Sequence, residues 1–415
     1  MVGQGSTVRH HRETVEDDTA QQVLQAEQAI AKKDFPPAEK MLLDVTGKDP
    51  NNYVAWFDLG YIYNATDRST EAIQAYRKSI DANPKVFEAN LNLGILLADA
   101  HDPEAAKFLR AATELKPTAR PEEGWYRAWL MLGHVLESSN PDEAIAAFQK
   151  AAKYHPKDPE PYLSAGMLLE KQKQYTQAAA EYQKAAGLDP KSKEALAGLV
   201  NSYSQAKQVP EAEQALRKFL ALDPNNATAH IQLGRLLAAQ QKWADAATEL
   251  EAGLHLQPGD EEAERQLADI YMQEKKVALA VPHIQAALQR DPNDATLHHT
   301  LGQAYIEQKN LAGAHQELVT AIGLDPKLAE AYGDLAFVAS EEKNYLLVLK
   351  ALAARAQYLP ETPITYFLRA TAYDHLHDAQ DATANYHKFL EAANGRFPDQ
   401  EWQAKHRLIA IEPKK

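Results

Sequence analysis

The sequence predicts an all-α fold made of tandem helix hairpins, and three observations support this fold class. Alanine, leucine, glutamine, glutamate and lysine dominate the 415 residues, and all of them favour helices. From Pro156 to Pro360, prolines recur in six consecutive steps of 34 residues. Small side chains recur with the same period, and such regularity is typical of a structure built from one repeated unit.

The column of small residues indicates how the two helices of a repeat pack. It holds glycine or alanine at every position except Val200: Ala26, Gly60, Gly94, Gly133, Gly166, Val200, Gly234, Ala268, Gly302, Ala336 and Ala370. A glycine inside a helix costs about 1 kcal/mol, but the missing side chain lets two helix axes approach closely. We therefore predict that Gly60 lies where the two helices of its repeat cross, with Ala72 facing it.

The residues around Gly60 carry a family signature: Trp56, Leu59, Gly60 and Tyr63, followed by Ala72, Tyr76 and Pro84. This pattern resembles the tetratricopeptide repeat (TPR) family, whose 34-residue signature is W-x2-L-G-x2-Y, then A-x3-F, then P. The resemblance covers residues 19–397. It implies a right-handed superhelical α-solenoid of about eleven repeats, each made of a helix A and a helix B. The repeats fall near residues 19–52, 53–86, 87–119, 126–158, 159–192, 193–226, 227–260, 261–294, 295–328, 329–362 and 363–397.

Two segments lie outside the predicted repeats. Residues 1–18 are polar and are predicted to form a disordered N-terminal tail. Residues 398–411 are predicted to form a C-terminal capping helix, because Trp402, Leu408 and Ile409 follow Pro398 at near-helical spacing. Such a helix would cover the last exposed edge of the core.

An insertion of six residues interrupts the period near residues 118–125. One interpretation is a longer helix A with Pro121, Glu122 and Glu123 in its first turn, where acidic side chains are favourable. The other interpretation is a bend that divides the solenoid into two blocks.

Composition and charge argue against several classes of partner. The formal net charge is −14, and lysine and arginine are interleaved with acidic residues. Since no basic stripe stands out, we expect no binding to nucleic acid. No run of about 18 apolar residues occurs, so no membrane insertion is expected. The compartment stays open: the chain is expected to be soluble, and cytoplasmic or, if a leader was removed, periplasmic or exported.

The sequence offers little that would support catalysis or metal binding. Without cysteine there are no disulfides, thiol nucleophiles or cysteine metal sites. His375 and His377 in "YDHLHDAQD", and the histidines of "RHHRE" at 9–13, lack the spacing that places ligands on one helix face. The repeats also leave no room for a catalytic domain. We therefore predict no enzymatic activity, no catalytic residues, no metal and no cofactor.

The resemblance places helix A on the concave side of the solenoid, and we expect a partner to bind there. With the small column numbered as position 8 of each repeat, positions 5, 9 and 12 lie on one helical face. The candidate partner-binding residues are Phe57, Tyr61, Asn64, Leu91, Ile95, Leu130, His134, Leu163, Met167, Asn201, Arg235, Arg265, His299, Gln303, Phe337 and Phe367. The competing interpretation is that these side chains pack against the adjacent helix A or the protein's own terminus.

The predicted function is a non-enzymatic protein–protein interaction scaffold or adaptor that binds an extended peptide or a partner helix in the concave groove. Two alternatives remain. The chain could be a regulatory or substrate-docking arm of an enzyme complex, or a structural solenoid that associates with itself. The sequence does not identify the partner.

Overall fold

A computed structural model describes residues 18–412 of the chain. This range contains 23 helices, arranged as eleven hairpins and one final helix, and no strand. The predicted all-α solenoid of helix hairpins is confirmed. The predicted disordered tail, residues 1–18, lies outside the described range except for Asp18, where the first helix begins.

The chain divides into two compact units, residues 1–222 and 223–415. The N-terminal unit contains six hairpins: α1 (Asp18–Ala31) and α2 (Phe35–Lys48), α3 (Tyr53–Ala65) and α4 (Ser69–Ala82), α5 (Phe87–Asp99) and α6 (Ala105–Glu114), α7 (Pro121–Leu136) and α8 (Pro141–Tyr154), α9 (Glu160–Lys171) and α10 (Tyr175–Leu188), α11 (Lys193–Gln205) and α12 (Val209–Leu222).

The C-terminal unit contains five hairpins and the final helix: α13 (Ala227–Ala239) and α14 (Trp243–Leu256), α15 (Glu261–Gln273) and α16 (Val277–Arg290), α17 (Ala295–Glu307) and α18 (Leu311–Leu324), α19 (Ala329–Glu341) and α20 (Tyr345–Arg355), α21 (Pro363–His375) and α22 (Ala379–Ala393), then α23 (Pro398–Ile411). In every hairpin the first helix is helix A and the second is helix B.

Within each unit, neighbouring hairpins stack on one another. Each helix B packs against helix A of the next hairpin, as α4 does against α5 and α14 against α15. Several A helices also contact the A helix that follows, as α9 contacts α11. A single hairpin cannot bury its own apolar face, so the stacking completes the core.

Gly60 lies at the predicted crossing of α3 and α4. A Cβ atom at Gly60 would stand 2.7 Å from the Tyr76 ring, and one at Gly133 would stand 2.5 Å from the Phe148 ring. Both separations are far shorter than normal carbon–carbon contact, so the glycines permit these approaches. The space over Gly60 is filled by Tyr76 and not by Ala72, although Ala72 is also fully buried.

The turn inside ten of the hairpins contains one residue in the left-handed region of backbone conformation. Such a residue commonly ends a helix, and it is usually glycine. Here the position is held by other residue types: Lys33, Asp67, His101, Lys173, Lys207, Gln241, Lys275, Lys309, Lys343 and His377. His377 therefore takes part in a recurring turn, at an exposed position.

The side chain at position 4 of helix A holds the connection that leads in from the preceding hairpin. Trp56 donates its Nε1–H to the carbonyl of Pro50 at 2.8 Å. Nε2 of His298 lies 3.1 Å from the carbonyl of Pro292. Because a carbonyl oxygen can only accept, this nitrogen donates, and His298 has a structural role.

The insertion near residue 120 lengthens helix A of its hairpin. Helix α7 begins at Pro121, with Glu122 and Glu123 in its first turn, as in the longer-helix interpretation. The Trp125 Nε1–H donates to the carbonyl of Leu115 at 2.8 Å. This bond attaches the start of α7 to Leu115, the C-cap residue of α6.

The final helix covers the last hairpin with fewer apolar side chains than its sequence suggests. Helix α23 packs on α22, and Ala404 and Leu408 are buried. Trp402 and Ile409, which we expected to help cover the core, point outward with 61% and 76% of their surface exposed. The helix is also held by an ion pair, in which the Arg407 guanidinium lies 2.6 Å from the Asp374 carboxylate.

Candidate partner-binding surface

In α3, α5 and α7 of the N-terminal unit, the side chain at position 5 of helix A lies in the core. Phe57 and Leu91 have no exposed surface, and Leu130 is also buried. The Phe57 ring packs against Tyr76 with its centroid 5.7 Å away. Phe57 and Leu91 therefore have no surface that a partner could reach, and Leu130 has little, so we exclude all three from the surface proposed below.

Position 9 of helix A is more accessible, and its exposure increases along the unit. Tyr61 and Ile95 are half-buried, whereas Met167 is 48% exposed and Asn201 is exposed. Leu163, at position 5 of α9, is half-buried as well. We use the name A-helix surface for these five residues. Asn64, at position 12 of α3, is half-buried too.

His134 also lies at position 9, but its ring is occupied by neighbours. Nδ1 is 2.8 Å from Glu137 and Nε2 is 3.2 Å from Glu160. Burial acts to lower the pKa of His134, but the two carboxylates outweigh burial and raise it. The ring thereby connects α7 to α9.

A cavity of about 310 Å³ opens at the most exposed part of the A-helix surface, between α9, α10 and α11. It is lined by Met167, Glu170, Lys171, Tyr175, Tyr182 and Asn201. The Tyr182 hydroxyl donates to Glu170 Oε2 at 2.7 Å, and Asn201 Nδ2 donates to Glu170 Oε1 at 2.5 Å. Two donors from two different helices thus hold one carboxylate in a fixed orientation.

Two glycines fix the Tyr182 ring behind this carboxylate. A Cβ atom at Gly166 would stand 2.9 Å from the ring, and one at Gly198 would stand 2.4 Å from it. Burial, and then the Glu170 carboxylate, raise the pKa of Tyr182, so the phenol keeps its proton and donates it.

Sequence reasoning identified Met167 and Asn201 but missed Glu170 and Tyr182. One signal was present in the sequence. Gly198 stands two residues before Val200, the only β-branched residue in the small column. Glycines at position 8, such as Gly166, face helix B of their own hairpin, whereas Gly198 at position 6 faces the Tyr182 ring of the preceding hairpin.

The candidates of the C-terminal unit make contacts within the chain. Arg235 Nη2 lies 2.8 Å from Asp260, which caps α15. Nε2 of His299, which is buried, lies 2.7 Å from Asp334. Gln303 Nε2 donates to the same carboxylate at 2.9 Å. For these side chains the structure shows packing against the next hairpin.

Arg265 completes this series of contacts between hairpins. Its guanidinium pairs with Glu261 of its own helix at 2.7 Å and with Asp294, which caps α17. Burial acts to raise the pKa of Asp294, but the Leu297 amide and the Arg265 guanidinium outweigh burial and lower it. The ionised Asp294 is therefore the form that stabilises this junction.

We expect Arg265→Met to lower the free energy of unfolding of the C-terminal unit by about 1–2 kcal/mol at pH 7, because it leaves Asp294 short of a donor. The folded-state pKa of Asp294 is below the unfolded one, so the carboxylate's contribution is present above about pH 4 and is lost as the pH falls through the folded value. The difference between wild type and variant in urea unfolding should therefore shrink toward pH 3.

Lys48→Met is the control for this prediction. Lys48 is 54% exposed and pairs with Asp44 of its own helix, which is 51% exposed, so its loss should change stability little. Equal effects of the two substitutions, or a difference for Arg265 that is constant with pH, would contradict the assignment.

The two aromatic candidates of the C-terminal unit differ in exposure. Phe337 is 39% exposed on α19. Phe367 is half-buried and packs against Phe389, with the ring centroids 5.1 Å apart. Phe367 thus belongs mainly to the packing of the last hairpin.

The histidines that were candidate metal ligands do not lie in a ligand cluster within residues 18–412. The His375 ring stacks on Tyr345, with centroids 4.3 Å apart and planes within 7°. In residues 18–412, no group of three or more histidine, cysteine or acidic side chains has a geometry that could hold a metal ion. The histidines of the segment 9–13 lie outside that range.

Between residues 18 and 412, no helix combines the length and the apolar character that a bilayer crossing requires.

Comparisons with solved structures find helical repeat proteins. YrrB, a TPR protein with an unusual peptide-binding site, is 27% identical over 45% of this chain and 96% of its own, with a TM-score of 0.40. MamA from Desulfovibrio magneticus RS-1 is 20% identical over 40% of this chain and 94% of its own, with a TM-score of 0.37. Yeast Tom70 is 14% identical over 95% of both chains, with a TM-score of 0.33. Among curated proteins no match is found.

Family profiles match most of the repeat array. The tetratricopeptide repeat profile matches residues 23–86 and 68–120. The profile of the C-terminal domain of cilia and flagella-associated protein 70, a domain of the same repeat class, matches residues 118–322. The matched segments run without a gap from residue 23 to residue 322, across hairpins that repeat every 34 residues except around the insertion near residue 120. The chain is a member of the tetratricopeptide repeat family.

Proposed function

We propose that this protein is a non-enzymatic interaction scaffold that binds an extended peptide or a partner helix along the A-helix surface of its N-terminal unit. Tetratricopeptide repeat proteins typically mediate protein–protein interactions. The observation that carries the proposal is the row of partly exposed position 9 side chains that leads into the cavity between α9 and α11.

The chemistry of the A-helix surface suits a peptide. Tyr61, Ile95, Leu163 and Met167 offer apolar area, and Asn201 offers amide groups at the far end. The residues beneath them, such as Phe57 and Leu91, are fully buried and keep the helices in place. A surface that is already ordered loses little conformational entropy when a partner binds.

The A helices of the C-terminal unit are a weaker candidate surface. Arg235, Arg265 and His299 each pair with a carboxylate of the following hairpin. A partner would have to break these pairs before it could use the same groups, and breaking a partly buried pair is costly.

Affinity capture with matched surface variants tests the proposal. We expect Met167→Ser and Ile95→Ser to lose most of the proteins that the wild-type chain captures, since each substitution removes apolar contact area from the A-helix surface. Leu43→Ser on α2 is the control, because Leu43 is 47% exposed and nearly matches the 48% of Met167, but it lies on a helix B. Quantitative mass spectrometry of the captured proteins provides the measurement.

Two results would count against the proposed surface. One is full capture by both A-helix variants. The other is an equal loss with Leu43→Ser, which would show that exposed apolar side chains matter wherever they lie. Far-UV circular dichroism of each variant separates a lost surface from a lost fold.

A further inference from the structure

We propose that the cavity between α9 and α11 is a subsite for an arginine side chain of the bound partner. The inference rests on the proposed function and names the chemistry that one part of the surface recognises. Its centre is the Glu170 carboxylate, which lines the cavity and is held by Tyr182 and Asn201.

The carboxylate has remaining capacity to accept hydrogen bonds. Each of its oxygens receives one bond, from Tyr182 at 2.7 Å and from Asn201 at 2.5 Å. An ionised carboxylate offers about four acceptor positions, so two remain for a ligand. Neither neutral donor compensates the negative charge, which makes a cationic group the complementary ligand.

The last hairpin contains the same arrangement with an arginine bound. Asp374 lies four residues after Ala370 of the small column, as Glu170 lies four residues after Gly166. The Tyr386 hydroxyl, in the place of Tyr182, is 3.3 Å from Asp374 Oδ2. Arg407 of α23 then binds both oxygens of Asp374, with Nε at 2.6 Å and Nη2 at 2.7 Å.

This internal counterpart shows which group a carboxylate at repeat position 12, backed by a tyrosine, accepts. The Arg407 guanidinium is the main cause that lowers the pKa of Asp374. Between α9 and α11 the chain supplies only the single amide of Asn201, and the remaining space is a cavity. We infer that a partner supplies the guanidinium there.

The walls of the cavity fit the rest of an arginine side chain. Met167, 48% exposed, and Tyr175, half-buried, provide apolar surface for the methylene groups. The volume of about 310 Å³ lies at the lower end of ligand pockets and exceeds the need of one side chain. Lys171 is exposed at the cavity, and its positive charge would repel a bound guanidinium.

Methyl NMR with short peptides tests this subsite on the full chain. The chain has five methionines, so ¹³C-methyl labelling gives few resonances, and Met167→Leu assigns the relevant one. The probes are Ac-Ala-Ala-Xaa-Ala-Ala-NH2 peptides in which Xaa is arginine, citrulline or glutamate. Citrulline has nearly the shape of arginine but no charge.

We expect the arginine peptide to shift the Met167 methyl resonance and to bind at least tenfold more tightly than the citrulline peptide. Glu170→Gln should remove that preference, because it deletes the charge and keeps an amide of similar shape. Lys171→Ala should leave arginine binding unchanged or strengthen it, since it removes a repelling charge.

Other results would overturn the inference. Equal binding of arginine and citrulline would show that the charge of Glu170 does not matter. Preference for the glutamate peptide, lost in Lys171→Ala, would show that the cavity takes an anionic group instead. Both comparisons use the wild-type protein or the Lys171→Ala variant, which changes only an exposed side chain. They therefore do not depend on the folding of Glu170→Gln.

The outcome also separates this inference from the proposed function. If capture depends on Ile95 and Met167 while arginine and citrulline peptides bind equally, the scaffold function stands and the arginine subsite fails. If capture is insensitive to both A-helix variants, the proposed surface itself fails.

Discussion

Phe57→Ala is expected to lower the free energy of unfolding of the N-terminal unit by about 3–5 kcal/mol, the usual cost of removing a fully buried aromatic ring. Phe57 has no exposed surface and packs against Tyr76 with centroids 5.7 Å apart. The removed ring leaves a cavity whose walls include Tyr76, and Tyr76 already lies against Gly60 at the helix crossing. The crossing therefore has no side chain that can expand into the space.

Urea unfolding of the full chain measures this effect, followed by far-UV circular dichroism and tryptophan fluorescence. Trp56 adjoins the site in sequence and reports on the N-terminal unit. Tyr61→Ala is the matched control, because Tyr61 is half-buried at position 9 of the same helix. It should shift the transition much less than Phe57→Ala. Similar shifts for both variants would show that the side chains at positions 5 and 9 of α3 do not differ in burial as the structure indicates.

Gly198→Val is expected to destabilise the N-terminal unit by about 1–3 kcal/mol, the usual cost of overpacking a filled site, which exceeds the ~0.3 kcal/mol that valine gains over glycine in helix propensity. A Cβ atom at Gly198 would stand 2.4 Å from the Tyr182 ring, and the same ring also lies against Gly166, so a valine at Gly198 would displace it. Displacement of the ring would also withdraw its hydroxyl from Glu170. The variant should therefore lose the arginine preference of the cavity as well as stability.

Gly187→Ala on α10 is the control for steric overpacking. A Cβ atom there meets nothing within 4 Å, so alanine should stabilise the helix by about 0.5–1 kcal/mol through its better propensity. Thermal and urea unfolding of the two variants should thus change in opposite directions. If Gly198→Val unfolds at the wild-type urea concentration, the close contact with Tyr182 does not constrain the hairpin junction.

The repeat architecture was predictable because its causes lie in local sequence. Prolines at a 34-residue step mark where helices end, and small residues at the same step mark where helices cross. Each hairpin carries the same pattern. The longer α7 could be anticipated as one of two alternatives, because Pro121 and the two glutamates after it are typical of a helix start.

The accessible surface could be predicted only in outline. Periodicity correctly placed positions 5 and 9 on one face of helix A, but it could not rank them by exposure. Phe57 and Met167 share that face, and one is in the core while the other is 48% exposed. Exposure depends on which side chains of helix B and of the next hairpin cover each position, and those partners differ from repeat to repeat.

The sequence alone thus determined the fold class, the number of hairpins and the family of this protein, because helix propensity, proline and the size of small residues act within one repeat. The tertiary structure decided which of the candidate side chains are already paired and which carboxylate is held by neutral donors at a cavity. Arg235, Arg265 and His299 looked available in sequence but lie against acids of the next hairpin. Glu170 looked like an ordinary helix-surface residue, yet Tyr182 and Asn201 hold it at the edge of a cavity. Such pairings join residues 12 to 35 positions apart, and stacking of the helices brings them within hydrogen-bond distance.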